Sequence, residues 1–201
     1  MKRSILVGLT LFAAIPALAG TLWYDNGLPD GANGNEMTQW LQTEDFIAPS
    51  NGSLVEIDFW AFPYGGNPYD GTVQWWIFAD NGGNPGAVKA TGIANPAATP
   101  WGNTQFGPDY IFKIATPSVA LTGGTLYHLG LHMNTTGNYQ VRDNWYWEST
   151  AYNSTNTGIE SMYGTQDNWY NNGVEHSFQL FVPEPVSALG LLSLALLARR
   201  R

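Results

Sequence analysis

Residues 54–62 read Leu-Val-Glu-Ile-Asp-Phe-Trp-Ala-Phe and carry the clearest structural pattern in the chain. Successive side chains alternate between two sets, with a period of two residues. One set is apolar and consists of Val55, Ile57, Phe59 and Ala61; the other consists of Glu56, Asp58, Trp60 and Phe62. A period of two is that of a β-strand, whose successive side chains point to opposite faces of a sheet. We therefore predict a strand with its apolar face toward a core.

The same alternation recurs on both sides of this stretch. It is clear in Thr72–Ala79, Tyr127–Met133 and His176–Phe181, and weaker in Thr21–Asp25, Met37–Ile47, Ala87–Ala94, Asn103–Ile114 and Asn144–Thr150. The segments between these runs are rich in Gly, Asn and Pro, the residues that favour turns. No run shows a sustained helical stripe. Many short strands joined by turns predict an all-β fold, an antiparallel β-sandwich of the jelly-roll kind.

The start of the chain has the pattern of a secretory signal peptide. Lys2 and Arg3 form a basic segment, an apolar run follows from Ile5 to Ile15, and Ala17-Leu18-Ala19 matches a small-residue cleavage site. Cleavage after Ala19 would leave Gly20 as the mature N-terminus. We therefore predict that residues 1–19 form a signal-peptide helix, with Ala17, Ala19 and Gly20 at the cleavage site.

The last twenty residues have three parts in a fixed order. Pro183-Glu184-Pro185 is followed by an uncharged run, Val186–Ala198, and then by Arg199, Arg200 and Arg201. The two prolines disfavour helix in the residues before them, whereas the Leu- and Ala-rich run favours it. Its 13 residues are fewer than the ~20 that usually span a bilayer as a helix. Because the arginines favour the cytoplasmic side, we predict a single short transmembrane helix with a basic stop.

This tail resembles the PEP-CTERM sorting signal of exported bacterial proteins, which joins a Pro-Glu-Pro motif to a transmembrane stretch and an arginine cluster. The matching residues are Pro183, Glu184, Pro185 and Arg199–Arg201. The resemblance implies export, recognition by an exosortase after signal peptidase, and transient anchoring in the inner membrane. It also implies a place in the cell envelope, on the surface or outside the cell, in association with exopolysaccharide or biofilm.

A second resemblance lies in the body. Residues 78–86, Phe-Ala-Asp-Asn-Gly-Gly-Asn-Pro-Gly, are similar to a hairpin of jelly-roll domains in bacterial surface proteins. The likeness supports the sandwich and brings no catalytic residue with it. The predicted organisation is thus a signal peptide at 1–19, a β-sandwich domain at 20–181 and a sorting signal at 182–201.

Charge and cysteine content restrict the function of the body. Only Lys89, Lys113 and Arg142 of the eight basic residues lie between the two predicted signals, together with 15 of the 16 carboxylates, so its formal charge is −12. Nucleic-acid phosphates require a basic surface, so we predict no nucleic-acid partner. The absence of cysteine excludes disulfides, thiol catalysis and zinc–thiolate sites.

The nine tryptophans all lie in the body and suggest both a core and a ligand surface. Trp75, in register with Val73 and Ile77, is expected to face inward, because large aromatic side chains dominate packing. Others could stack on a sugar ring beside polar groups: Trp60, Trp76, Trp145 and Trp147. Packing under a second layer or under loops is the alternative for these four residues.

Residues 25–36 concentrate oxygen ligands in a Gly-rich segment predicted to be a loop. The candidate metal ligands are Asp25, Asp30, Asn35 and Glu36. Calcium prefers six to eight oxygens from carboxylates and carbonyls, so Ca²⁺ is the candidate ion. The spacing does not match an EF-hand, and a solvated turn is the alternative.

The remaining polar residues provide no catalytic motif. His128 and His132 share a strand face about 13 Å apart, and His176 is expected to be a hydrogen-bonded core or edge residue. The pattern thus favours a non-catalytic surface or matrix protein. The alternatives are a carbohydrate-binding module with exposed Trp or Tyr, and a glycan hydrolase with dispersed carboxylates such as Glu56 and Asp58.

Overall fold

A computed structural model describes residues 20–66, 68–134, 139, 141–151 and 157–184 of this chain. Within these residues the chain forms strands, turns and bends, with no helix. The strands are β1 Gly20–Asp25, β2 Pro29–Glu36, β3 Trp40–Ile47, β4 Gly52–Pro63, β5 Val73–Asp80, β6 Pro85–Ala94, β7 Thr99–Thr104, β8 Gly107–Leu121, β9 Leu126–Met133, β10 Trp145–Thr150, β11 Ile159–Met162, β12 Trp169–Asn171 and β13 Phe178–Pro183.

The strands form two antiparallel sheets. Sheet 1 has the order β1-β13-β4-β10-β2, and β8 pairs with both β4 and β7. Phe59 of β4 lies between two neighbours, because it pairs with Phe178 of β13 and with Phe112 of β8. Sheet 2 has the order β12-β11-β3-β9-β5-β6. Strand β4 is therefore the central strand of sheet 1, and β9 and β3 are central in sheet 2.

A single large hydrophobic cluster lies between the sheets. Sheet 1 contributes Ile57 and Phe59, and sheet 2 contributes Trp75, Ile77 and Leu129, all buried. These are the apolar faces that the alternation predicts, so the antiparallel β-sandwich is confirmed. One residue differs: Val55 is only half-buried, because the register of β4 shifts between Leu54 and Glu56 and places Leu54 in the core.

The outer face of sheet 2 is covered as well. Leu41, Trp76 and Phe78 form a second buried cluster, against which Trp169 packs. The rings of Phe78 and Trp169 meet edge to face, with centroids 5.8 Å apart. Trp169 begins β12, so the β11–β12 hairpin bends over the outer face and shields residues that a two-layer sandwich would expose.

Two segments differ from the predicted strands. Residues 29–36, predicted as part of a loop, form β2, which pairs with β10 through residues such as Asn35 and Gly34. Backbone hydrogen bonds make this pairing, and they do not need apolar side chains. Residues 103–114, predicted as one strand, turn at Gln105 and Phe106 and form parts of β7 and β8.

The predicted signal helix at 1–19 and the predicted transmembrane segment, Val186–Ala198, lie outside the described residues. The described part of the chain contains no helix long and apolar enough to cross a membrane.

Candidate functional site: an aromatic cleft on sheet 1

The four tryptophans predicted to stack on sugars are all buried. The exposed fractions are 1% for Trp60, 3% for Trp76, 4% for Trp145 and 0% for Trp147. Trp145 and Trp147 point into the core between the sheets, while Trp60 on the outer face packs edge to face against Trp101 at 5.4 Å. None offers a ring face to a ligand. Trp60 and Trp76 pack under covering residues, whereas Trp145 and Trp147 belong to the core between the sheets.

The four predicted calcium ligands are engaged in separate hydrogen bonds. Asp25 accepts from the Gly27 N–H and Asp30 from the Ala32 N–H, each at 2.9 Å. Asn35 Oδ1 lies 3.2 Å from His176 Nε2. The two carboxylate oxygens of Glu36 accept from the backbone N–H groups of Thr38 and Gln39.

These side chains do not converge, because β2 directs neighbouring residues such as Asn35 and Glu36 to opposite faces. Among the described residues, no three His, Asp or Glu side chains are grouped in a way that could hold a metal ion. The geometry therefore gives no support to a calcium site in this segment.

The carboxylates proposed for a dispersed hydrolase pair are also differently placed. Asp58 is 1% exposed and forms an ion pair with Lys113 of β8. Glu56 is half-buried on the same face. Burial raises the pKa of Asp58, and the lysine ammonium opposes that rise. Because its carboxylate is held by Lys113, Asp58 has a structural role.

An aromatic cleft lies where β4 ends. It has a volume of about 210 Å³ and is lined by Asn33, Gly34, Phe62, Tyr64, Phe106 and Tyr146. Phe62 forms its floor with only 3% exposure, whereas Tyr64 is 57% exposed. We refer to these six residues as the aromatic cleft.

The rings of the cleft are arranged in two orientations. Phe106 and Tyr146 lie almost parallel to Phe62, at 11° and 10°, with centroids 5.2 and 5.5 Å away. Tyr64 stands nearly perpendicular to Phe106 and Tyr146, at 75° and 80°. Phe62 and Tyr146 are cross-strand partners, and such aromatic pairs stabilise a sheet. The result is a parallel row of three rings, with the exposed Tyr64 ring in contact with both Phe106 and Tyr146.

Polar groups border the cleft. The Arg142 guanidinium donates a hydrogen bond of 2.9 Å to Tyr146 Oη and lies 5.9 Å from the centroid of its ring. Asn33 is exposed, and its side-chain oxygen accepts from the Gly34 N–H at 2.8 Å. The Asn33 side-chain NH₂ group can therefore donate to a ligand.

Comparisons of this chain with protein-family models, with curated proteins and with solved structures found no match. The site must therefore be interpreted from its own geometry.

A second, more polar cleft lies at the outer edge of sheet 2. It has a volume of about 750 Å³, and its lining includes Asp80, Asn81, Asn84, Gln166, Asp167 and Trp169. Asp80 is already engaged by the N–H groups of Gly82 and Gly83 and by His128, at 3.0 Å. This cleft contains the hairpin 78–86 and has a single aromatic wall.

Two carboxyl groups are buried together near the aromatic cleft. Asp109 is 3% exposed and Glu148 is 1% exposed. Burial raises the pKa of Asp109, and each carboxyl group influences the pKa of the other. Burial and the neighbouring Asp109 raise the pKa of Glu148 to about 9. Glu148 also accepts from the Gly31 N–H at 2.9 Å.

Sequence reasoning did not identify the cleft residues Tyr64, Phe106 and Tyr146 as one site. The alternation predicts Phe62 on the outer face of β4, but nothing in the local sequence connects it with Tyr64, Phe106 or Tyr146. The available signal was Tyr64, an aromatic residue just beyond the predicted strand 54–62, where turn residues are usually polar. Phe106 gave no such signal, because it lies inside the predicted strand Asn103–Ile114.

Proposed function

We propose that this chain is an exported bacterial surface or extracellular-matrix protein, sorted by an exosortase after signal peptidase, with a non-catalytic body that associates with exopolysaccharide. One observation carries the proposal: Gly20 of β1 and Pro183 of β13 are paired neighbours in sheet 1. The sandwich therefore lies between the predicted signal peptide and the predicted sorting motif. Both ends of the sandwich lie at the same edge of sheet 1, and β13 includes Val182 and Pro183 of the predicted sorting signal.

The strand order supports the jelly-roll form of the sandwich. From β3 to β10 the chain crosses repeatedly between the sheets, with β3, β5, β6 and β9 in sheet 2 and β4, β7, β8 and β10 in sheet 1. Such crossing, with antiparallel pairing throughout, is expected of a double-sheet β-sandwich. The jelly-roll assignment belongs to the proposal.

The chemistry of the body favours binding over catalysis. The buried carboxyl groups of Asp109 and Glu148, whose pKa values are raised, are closed from solvent at 3% and 1% exposure. A hydrolase needs its acid and base within hydrogen-bonding reach of the substrate. The formal charge of −12 on the body keeps it soluble outside the cell and disfavours nucleic acid.

Cell fractionation tests the sorting. We expect the wild-type chain in the envelope and extracellular fractions of cells with an exosortase, and its retention in the inner membrane when the enzyme is deleted. Replacing Arg199, Arg200 and Arg201 by Gln should cause the same retention, whereas Lys89→Gln, which removes a body cation, should change nothing. An uncleaved, soluble chain in the cytosol would contradict the proposal.

Association with exopolysaccharide is tested separately in the same cells. Enzymatic digestion of the surface polysaccharide should release the mature protein into the medium. An equal release from cells that make no exopolysaccharide would show that the polymer does not retain it.

A further inference from the structure

The aromatic cleft is a built feature of sheet 1. Gly34 lies directly beside its floor: a Cβ at this position would stand 2.9 Å from Phe62 Cε1 and 2.7 Å from the Trp147 carbonyl oxygen. Strand β2 can thus approach the ring of Phe62 closely because residue 34 has no side chain. Phe106 reaches the cleft from the β7–β8 turn and Tyr64 from the connection after β4, so two strand connections and strands β2, β4 and β10 converge on it.

Packing of the core between the sheets does not explain why aromatic rings lie on the outer face of sheet 1. The neighbours of Phe62 and Tyr146 along their strands, Ala61 and Trp147, already point into the core. Tyr64 lies beyond the end of β4, and 57% of its surface faces water. The half-exposed Tyr64 ring, perpendicular to two other rings, therefore forms an apolar wall of the 210 Å³ cleft.

The cleft is apolar on its floor and polar on its border. Phe62, Phe106 and Tyr146 present aromatic carbon, while Arg142 and the Asn33 amide present N–H donors at the edge. A pyranose has the complementary surface, with C–H groups on one face and hydroxyls around its rim. Ligand sites commonly combine an apolar lining with a few polar groups that orient the ligand.

The charge of the protein selects among polysaccharides. The body carries a formal charge of −12 with three cations. Lys113 is held by Asp58 and Lys89 lies over the Tyr127 ring, so Arg142 is the cation beside the cleft. Long-range repulsion would oppose a polyanion, whereas a neutral polymer is unaffected by it.

The cleft also faces away from the predicted membrane attachment. Phe181, two residues before Pro183, pairs with Glu56 of β4, and Phe62 lies six residues further along that strand. A strand rises ~3.4 Å per residue, so the cleft is about 20 Å from this pair. A body attached through residue 183 would present the cleft at its distal end.

We propose that the aromatic cleft binds a pyranose unit of a neutral polysaccharide, with Tyr64 and Tyr146 as stacking surfaces and Asn33 and Arg142 as hydroxyl ligands. This inference rests on the proposed function, because it names the polymer class and the contact site of the same exported protein.

Affinity electrophoresis of the full-length chain tests the site. The protein, solubilised in a detergent without a sugar headgroup, is run in native gels that contain hydroxyethyl cellulose, galactomannan, dextran or alginate. We expect retardation by at least one neutral polymer and none by the polyanion alginate. Tyr64→Ala should weaken the binding about tenfold, because it removes a stacking ring, and Tyr64→Phe should keep it within about twofold.

A matched control uses Tyr170, which is 55% exposed on β12 and lies outside the cleft. Tyr170→Ala should bind like the wild type. Trp169→Ala probes the polar cleft, and loss of binding in that variant with Tyr64→Ala unaffected would overturn the proposal. The urea midpoint of each variant establishes that it is folded.

Further outcomes separate this proposal from the proposed function. Normal export without retardation by any neutral polymer overturns the cleft assignment and leaves the sorting proposal intact. Retention of the chain in the cytosol, together with gel retardation that Tyr64→Ala weakens, overturns the sorting proposal and leaves the cleft assignment intact. If Tyr64→Ala abolishes self-association in sedimentation and leaves retardation unchanged, the cleft is an interface between copies and the sugar proposal is wrong.

Discussion

The fully buried His176 side chain lies between an acid and an indole. Its Nδ1 is 2.9 Å from Glu44 Oε2, and its ring stacks on Trp147 with centroids 4.6 Å apart. Burial lowers the pKa of His176 to about 3 and raises the pKa of Glu44 well above its usual range. Burial thus disfavours the charged form of each group, and His176 Nε2 lies 3.2 Å from Asn35 Oδ1. The burial of His176 and its hydrogen bond with Glu44 confirm the prediction of a hydrogen-bonded core histidine.

We expect His176→Ala to lower the free energy of unfolding by about 3 kcal/mol, because it leaves a cavity beside Trp147 and an unpaired buried carboxyl at Glu44. Urea denaturation followed by tryptophan fluorescence measures this change. The exposed substitution Tyr170→Ala should alter stability by less than about 0.5 kcal/mol. A similarly small effect for His176→Ala would refute a structural role for the Glu44–His176 pair.

At the scale of elements, the β7–β8 hairpin closes over the buried carboxyl pair. Its turn residue Gln105 donates a 2.6 Å hydrogen bond from Nε2 to the Ala32 carbonyl of β2. Beneath it, Asp109 of β8 and Glu148 of β10 are shielded from water. The hairpin also carries Phe106 into the aromatic cleft. The same element thus seals the carboxyl pair and completes the candidate binding site.

This arrangement predicts a loss of stability at alkaline pH. The pKa of Glu148 is about 9 in the folded protein and about 4.3 in an unfolded chain. Between these values the folded state holds more protons than the unfolded state. Stability therefore falls as pH rises toward 9, with a slope of up to about 1.4 kcal/mol per pH unit from this group.

Urea midpoints at pH 5, 7 and 9 measure this effect. Glu148→Gln, which is neutral throughout, should flatten the decline, whereas the exposed control Asp167→Asn should keep it. Parallel profiles for the wild type and Glu148→Gln would argue against a raised pKa of Glu148 in the folded protein.

At the scale of the whole molecule, the two ends of the sandwich meet in one strand pair. Strand β1 begins at Gly20 and β13 ends at Pro183, and these two residues are partners at the edge of sheet 1. The predicted cleavage after Ala19 falls immediately before the first strand residue. A cut further along would shorten β1 and unpair part of β13.

We therefore expect the secreted protein to begin at Gly20, which intact mass spectrometry and N-terminal sequencing determine. Replacing Ala19 by Arg should block processing, because signal peptidase requires a small residue there, while Ala32→Arg on exposed β2 should not. A mature N-terminus inside β1, for example at Tyr24, would conflict with the proposed boundary.

The strands with regular alternation could be predicted from the sequence, because successive residues of a strand point to opposite faces of the sheet. Trp75 and Leu129 face the core for this reason. Strand β2 could not be predicted in this way. Its residues are mostly Gly, Asn and Asp, and its pairing depends on β10, more than one hundred residues away. The sequence also could not show that the β11–β12 hairpin covers Trp76.

The amino-acid sequence by itself determined the all-β class, the inward faces of β4, β5 and β9, the acidity of the body and the predicted signals at both ends. These properties follow from local spacing and composition. Only the tertiary structure decided which aromatic rings are buried and which form a cleft, and which carboxyl groups are buried near one another. Such properties depend on side chains brought together from distant strands, such as Phe62, Phe106 and Tyr146, and no local pattern encodes that proximity.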